Sequence, residues 1–236
     1  MASKESKDAV SCCPDHGRKP VATFIPLTSH LAQRLLEEGF ISDGYSGIDK
    51  TEALLWAVRR NCIPLVEELI AYGVDVNLPG AGGWTCLAIA AQLPTLEVLD
   101  ILLRAGAEAG AEMTATLIDE GHTALHGAAV TGRSQAVRML ISHGSNVNAR
   151  SRGGICPLHY AAIEGHVDTI QALLEAGAIV QCADTEGLTP LCAACLSGHP
   201  DAVQLLIDRG ASISSTTTEG STPLHAAAMT AKHEIV

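Results

Sequence analysis

The cysteines and histidines are the side chains of this sequence that could do the most chemistry, and the chain carries eight of the first and ten of the second. Cys192 and Cys195 form a C-x-x-C pair, a spacing used by redox dithiols and by one half of many zinc sites. Cys12, Cys13 and His16 form C-C-x-x-H near the N-terminus, a grouping that suits metal binding or acylation but also arises by chance. The sequence contains no second C-x-x-C, so it does not predict a four-thiolate metal centre.

Many of these side chains recur at a constant interval along the chain, which indicates a repeated structural unit rather than one reactive site. Segments of the pattern T/C-x-L-H/C-x-A-A/C, with two weaker copies before them, begin at Glu52, Thr85, Thr123, Cys156, Thr189 and Thr222. Cys192 occupies a position that holds histidine in three other copies, and Cys195 occupies a position of alanine. A catalytic histidine needs an acid or nucleophile within reach rather than a copy of itself in each repeat, so we expect structural roles.

A row of glycines gives the same period independently. Each glycine follows a pair of Leu or Ile residues, and the row comprises Gly73, Gly106, Gly144, Gly177 and Gly210. Both markers contain one interruption of five residues between Gly106 and Thr123, and we assign this insertion to 107–118. This insertion either extends a turn toward a partner or reflects drift in a turn that tolerates it.

The residues within one copy predict two short helices. Thr189 is suited to cap the first helix, and Pro190 fits its first position. Leu191, Ala194 and Cys195 then lie on one helical face, at i, i+3 and i+4. One such unit is too small to bury its apolar face alone, so the units must stack on one another.

In its 33-residue period and its T-P-L-H-x-A segments, the sequence resembles the ankyrin-repeat family. The resemblance covers residues 47–236 and implies an all-α solenoid of helix-turn-helix units joined by turns, or fingers. It also implies that His126, His159 and His225 tie each turn to its neighbour through backbone hydrogen bonds. From it we expect a protein-binding role with no catalytic, cofactor-binding or metal-binding residues.

The register divides the chain into a disordered tail (1–20), an N-terminal capping helix region (21–46), five ankyrin repeats (47–216) and an incomplete sixth repeat (217–236). The five repeats span 47–79, 80–117 with the insertion, 118–150, 151–183 and 184–216. The sixth copy stops before its Leu-Leu pair and glycine, which favours a truncated chain or a partner over its open end.

The charge and hydropathy of the chain limit the classes of partner and the cell compartments that we expect for it. A formal net charge of −11 disfavours direct binding to nucleic acid, although Arg133, Arg138, Arg150 and Arg152 form a basic patch suited to an acidic partner. The sequence shows neither a signal peptide nor an apolar run of membrane-spanning length. We expect a cytoplasmic or nuclear protein with free thiols, no membrane contact and no small-molecule substrate.

The resemblance also predicts the binding surface. In the family, the concave face is formed by turn residues and by the exposed side of the first helix of each repeat. From the second repeat onward these positions are mainly apolar, and contiguous exposed apolar surface usually marks an interaction site. The predicted protein-binding residues, called the apolar strip below, are Trp84, Leu93, Val130, Ile155, Tyr160, Ile163, Leu188, Leu196 and Met229. The alternative is that these side chains pack beneath the adjacent turns.

Three functions fit this sequence. The first is a non-enzymatic scaffold or adaptor that binds a protein partner on the concave surface. The second is a transcriptional co-regulator that acts by binding transcription factors. The third is the regulatory or targeting segment of a larger enzyme truncated at Val236.

Overall fold

The computed structural model describes residues 24–25, 30–37, 48–80, 82–107, 112–113 and 121–229. The predicted tail, the Cys12/Cys13/His16 group, most of the 107–118 insertion and residues 230–236 lie outside the described residues.

Within these ranges the chain forms a succession of short helices, most of them in consecutive pairs. The helices are α1 (His30–Glu37), α2 (Lys50–Arg59), α3 (Ile63–Ala71), α4 (Cys86–Ala90), α5 (Glu97–Arg104), α6 (Ala124–Val130), α7 (Ser134–Ser142), α8 (Pro157–Ile163), α9 (Val167–Glu175), α10 (Pro190–Ser197), α11 (Pro200–Asp208) and α12 (Pro223–Met229). Two antiparallel pairs of two-residue strands accompany them. The strand β1 (Phe24–Ile25) pairs with β2 (Ile48–Asp49), and β3 (Glu112–Met113) pairs with β4 (His122–Thr123).

The helix pairs stack into two layers. The first helices form one row, in which α2, α4, α6, α8, α10 and α12 each contact the next. The second helices lie behind them, with α1 against α3, α3 against α5, and α7, α9 and α11 in sequence. Contacts therefore run between neighbouring units, and the predicted all-α ankyrin solenoid is confirmed.

The helices begin where the sequence signals predict. The Thr189 hydroxyl accepts the Cys192 N–H at 3.3 Å, and Pro190 is the first residue of α10. Thr85 caps α4 in the same way, accepting the Ala88 N–H at 3.3 Å. Gly198 ends α10 in the left-handed conformation, with φ of 75°.

One continuous apolar core runs through the stack between the two helix layers. Its largest fully buried side chains are Leu35, Leu54, Leu65, Leu69, Leu99, Leu102, Leu125, Leu140, Leu158 and Ile170. Alanines such as Ala129, Ala162 and Ala194 are also fully buried, and these small side chains allow the short helices to pack closely. Burial of each leucine contributes about 2 kcal/mol, so the array is stabilised by many similar increments.

The segments between helix pairs form finger-like turns that lie side by side. Backbone bonds close the turns, from Ser151 N–H to the Ile155 carbonyl at 2.9 Å and from Asp184 N–H to the Leu188 carbonyl at 3.0 Å. Neighbouring fingers are then joined by the Thr185 N–H, which donates to the Gly153 carbonyl at 3.0 Å. The fingers are therefore a hydrogen-bonded extension of the helix stack.

Histidines connect consecutive repeats at two places. Nδ1 of His126 accepts the Thr123 N–H at 3.0 Å, so the proton lies on Nε2, which donates to the Ile155 carbonyl of the next finger at 3.2 Å. His159 repeats this link, with Nε2 2.9 Å from the Leu188 carbonyl. Both bonds have the form that family resemblance predicts for these residues.

The second link uses the histidine that follows a helix-ending glycine. Nε2 of His166 lies 3.0 Å from the Val130 carbonyl, and its ring covers Gly132. A Cβ on Gly132 would lie 2.8 Å from that ring, and Gly132 itself has a φ of +70°. The same relation holds one repeat later, where the His199 ring covers Gly165. Only glycine satisfies both the backbone conformation and the close approach.

Candidate interaction surface

The apolar strip lies along the face that the first helices and the fingers form together. Its most exposed members are Met229 at 80 %, Leu196 at 41 % and Val130 at 37 %. The other six are partly buried: Trp84, Leu93, Ile155, Tyr160, Ile163 and Leu188. Most of these six also pack against the core, so the predicted strip combines exposed apolar groups with groups that support the fold.

Two clefts adjoin each other at the N-terminal end of the strip. The first has a volume of about 270 Å³ and is lined by Arg59, Trp84, Ile89, Gln92 and Leu93. The second has a volume of about 180 Å³ and is lined by Trp84, Gln92, His122, His126, Gly127, Val130 and Tyr160. Because Trp84 and Gln92 line both clefts, they form the ridge between two neighbouring depressions.

The Tyr160 ring is held in place at the edge of the second cleft. Its hydroxyl lies 2.8 Å from Nε2 of His122, and the two rings meet edge to face with centroids 5.4 Å apart. An aromatic side chain fixed in this way presents an apolar surface without a further loss of rotamer freedom on binding.

A third and larger cleft lies at the other end of the strip, between α10 and α12. It has a volume of about 380 Å³, and the strip residues Leu188, Leu196 and Met229 line it. The exposed residues Glu186 and Glu219 also line it. The cleft therefore combines apolar side chains with two carboxylates.

His126 is a structural residue of the repeat and is not available to donate or accept a proton in a reaction. Both of its ring nitrogens are occupied by the hydrogen bonds that join two repeats. Burial lowers the pKa of His126 from 6.5 to about 4, so the imidazole is neutral at physiological pH. Its arrangement serves the stack and the second cleft rather than catalysis.

Comparison with known proteins agrees with this geometry. The family model of ankyrin repeats matches the chain three times, over residues 27–116, 96–184 and 177–236. The chain belongs to the ankyrin-repeat family. Over 112 residues, or 47 % of its length, it is 32 % identical to an ankyrin repeat protein of Fowlpox virus (strain NVSL). The match covers 32 % of the viral protein, so this chain spans about a third of that relative.

Family membership supports a general statement about function. Ankyrin repeats generally act as protein–protein interaction modules, and the family is typically non-enzymatic. Across the part of the chain that the structure describes, no helix has the length and apolarity needed to cross a membrane.

The C-x-x-C pair of this ankyrin array is part of the core. Cys192 and Cys195 are both buried in α10 and carry free thiols. Burial raises the pKa of Cys195 to about 11, and it raises the pKa of Cys86, which also lies near Glu52, to about 12. Thiols held protonated in apolar surroundings are poor nucleophiles, which agrees with the structural role expected from the sequence for Cys195.

A different group of ligand atoms comes together in the fourth repeat. The Sγ atom of Cys156 lies 3.1 Å from Nδ1 of His159, and Sγ of Cys182 lies 3.7 Å from the same nitrogen. All three residues are buried, and their ligand atoms lie within 4.8 Å of one another. The repeat register does not predict this cluster. The available signal was that Cys156 replaces the usual threonine three residues before a repeat histidine.

Proposed function

We propose that this chain is a non-enzymatic scaffold or adaptor that binds a partner protein along the apolar strip. The observation that supports it best is the set of three clefts along the face built by the first helices and the fingers. Trp84 and Tyr160 line two of these clefts, and interface hot spots are enriched in tryptophan and tyrosine. The membership of a family of interaction modules supports the same proposal.

The composition of the third cleft favours a partner with apolar and basic side chains. Leu188, Leu196 and Met229 line this cleft with apolar surface, while Glu186 and Glu219 add negative charge. The chain as a whole carries a formal charge of −11, which attracts basic partners and repels acidic ones. We therefore expect apolar anchors flanked by lysine or arginine on the partner.

The test is affinity purification with the full chain as bait, followed by mass spectrometry. The variant Leu196→Lys/Met229→Lys places two charges on the most exposed part of the third cleft. We expect recovery of the specific partner to fall at least tenfold, since a buried unpaired charge at an interface is strongly unfavourable.

A matched control comes from two exposed isoleucines elsewhere in the array. Ile179→Lys/Ile213→Lys introduces the same charges at positions that do not line the third cleft. Partner recovery should be unchanged in this control, and both variants should keep the unfolding temperature of the wild type. Equal loss of binding in the two variants would overturn the assignment of the strip as the binding surface.

We further propose that the chain resides in the cytoplasm, the nucleus or both. The support is the state of its thiols, because Cys156 and Cys182 lie close together as free cysteines. Free neighbouring thiols are typical of reducing compartments. Fluorescence imaging of the tagged chain tests this location directly, and retention in the secretory pathway would contradict it.

A further inference from the structure

The buried cluster of Cys156, His159 and Cys182 exceeds what the repeat requires. In the third repeat the corresponding positions, one period earlier, hold Thr123, His126 and Ala149. There the Thr123 hydroxyl lies 3.0 Å from Nδ1 of His126 and completes the cap of α6. Cys156 supplies a thiol in place of that hydroxyl, and the cap of α8 is retained.

Capping explains the first cysteine of the cluster but not the second. Alanine fills the position of Cys182 in the third repeat, so the fold does not need a polar side chain there. Cys182 nevertheless brings its sulfur to within 3.7 Å of Nδ1 of His159, the nitrogen that Cys156 already contacts. Two sulfurs and one imidazole nitrogen therefore converge on one point inside the fourth repeat.

The spacing of these atoms fits a thiophilic metal ion. Zn–S bonds of about 2.3 Å and Zn–N bonds of about 2.0 Å place the ligands of a tetrahedral ion roughly 3.3–3.8 Å apart. The two S···N separations of 3.1 and 3.7 Å lie close to that range, and all the ligand atoms lie within 4.8 Å of one another. The three ligand atoms therefore lie at separations close to those found around one such ion.

His159 makes the same Nε2 hydrogen bond as His126, and this bond leaves its Nδ1 on the side of the two sulfurs. Its Nε2 donates to the Leu188 carbonyl at 2.9 Å, which fixes the ring and leaves the Nδ1 lone pair directed at the sulfurs. Metal-binding histidines commonly hold their second nitrogen by such a bond to a carbonyl. The other hydrogen bond at this nitrogen, from the Cys156 N–H at 3.2 Å, would give way to the ion.

We propose that Cys156, His159 and Cys182 form a binding site for a thiophilic metal ion of the zinc type. The ion takes Sγ of both cysteines and Nδ1 of His159, and a water molecule completes a tetrahedral set. Each thiol loses its proton to solvent on binding, so two protons are released for each ion bound. This inference departs from the expectation that the chain holds no metal-binding residues, and it goes beyond the proposed scaffold function.

The first experiment is a titration of the reduced full chain with Co²⁺, followed by competition with Zn²⁺. Cys12 and Cys13 are replaced by serine in every protein, because that pair offers thiols of its own. We expect one Co²⁺ per chain, a thiolate-to-cobalt charge-transfer band, and its loss on adding Zn²⁺. We also expect Zn²⁺ to raise the unfolding temperature, since the ion binds only the folded arrangement.

The variant Cys156→Thr/Cys182→Ala gives the fourth repeat the residues that the third repeat already has. It should fold, and both the cobalt band and the Zn²⁺-dependent shift in unfolding temperature should vanish. Cys192→Ala/Cys195→Ala, which removes the buried thiols of α10, should keep both signals. Binding that survives the first variant, or is lost only in the second, overturns the proposal.

A gain-of-site variant tests the geometry from the opposite direction. Thr123→Cys/Ala149→Cys places sulfurs at the corresponding positions around His126. The stoichiometry should rise from one to two ions per chain. A folded variant that still binds one ion or none contradicts the claim that these three positions suffice for the site.

Discussion

His126 is a neutral imidazole held between two repeats, and this state makes stability depend on pH. Its folded pKa of about 4 lies below the ordinary value of 6.5, because burial opposes the charged form. Protonation therefore favours the unfolded chain. The stabilising contribution is fully present above pH 6.5 and is lost as the pH falls through about 4.

We predict that wild-type stability falls by up to about 3 kcal/mol through this group between pH 7 and pH 4. His126→Gln should be less stable than wild type at pH 7 and should lose correspondingly less on acidification. The measurement is the free energy of unfolding from urea titrations at both pH values. His143→Gln, at an exposed position after α7, is the control and should follow the wild type. Parallel pH profiles for wild type and His126→Gln would contradict this assignment.

At the residue scale, the role of a side chain is easier to predict when the same residue type recurs at that position in several repeats. The role of His126 follows from the resemblance because His159 and His225 occupy the same position in other copies. The convergence of Cys156 and Cys182 could not be predicted, because it depends on where the segment after α9 folds back against the start of α8. Sequence spacing alone does not fix that distance.

The helix α10 shows how one short element serves both the core and the surface. Leu191, Ala194 and Cys195, which the i, i+3, i+4 spacing places on one face, are buried, and so are the other residues from Pro190 to Cys195. Leu196, one residue further on, is 41 % exposed in the third cleft. Leu191 and Leu196 are therefore in different environments, although both are leucines of the same helix.

We predict that Leu191→Ala costs about 2–5 kcal/mol of unfolding free energy, because it leaves a cavity in the core. Leu196→Ala should change that free energy by less than about 1 kcal/mol, since its side chain is partly solvated. Urea unfolding of both variants under one condition gives the comparison. Similar losses in the two variants would show that Leu196 belongs to the core and would weaken the strip proposal.

At the element scale, the sequence predicts where helices begin better than what they expose. Thr189 and Pro190 act locally, so their effect on α10 is visible in the sequence. Ile163 and Leu196 occupy the same position of successive repeats, yet the first is partly buried and the second exposed. That difference arises from the neighbouring finger and helix, which a single repeat does not contain.

The balance of charge is a property of the whole molecule. The formal net charge is −11, and the structure offsets part of the predicted basic patch. Arg138 forms an ion pair with Glu175 at 2.8 Å, and Arg150 donates to the Ala183 carbonyl. Of the four arginines of the patch, Arg138 is thus paired with an acid, and Arg150 is bound to a backbone carbonyl.

We predict that the protein binds an anion exchanger at pH 7 and passes through heparin at about 0.15 M salt, where charges beyond roughly 8 Å are screened. The measurement is the salt concentration at elution from each column. The variant Glu175→Gln, which leaves Arg138 without its acidic partner, should be retained slightly longer on heparin. Strong retention of the wild type at that salt concentration would indicate an exposed basic surface and a different class of partner.

The whole array was predictable from the sequence because its period and its one interruption appear in two independent markers. The structure around the interruption was not predictable in the same way. The strand β3 pairs with β4 at the start of α6, so part of the insertion joins the third repeat. The other copies contain no equivalent of this insertion, so comparing the repeats does not predict its strand pairing.

The contact between a histidine and a glycine of the preceding repeat bears on how the number of repeats can change. His166 of the fourth repeat covers Gly132 of the third, and His199 of the fifth covers Gly165 of the fourth. The fourth repeat therefore carries both halves of the joint, a histidine for its predecessor and a glycine for its successor. A duplicated copy of this repeat would contain the same histidine and the same glycine. Gene duplication or recombination can lengthen or shorten this part of the protein by whole units without redesigning the junctions.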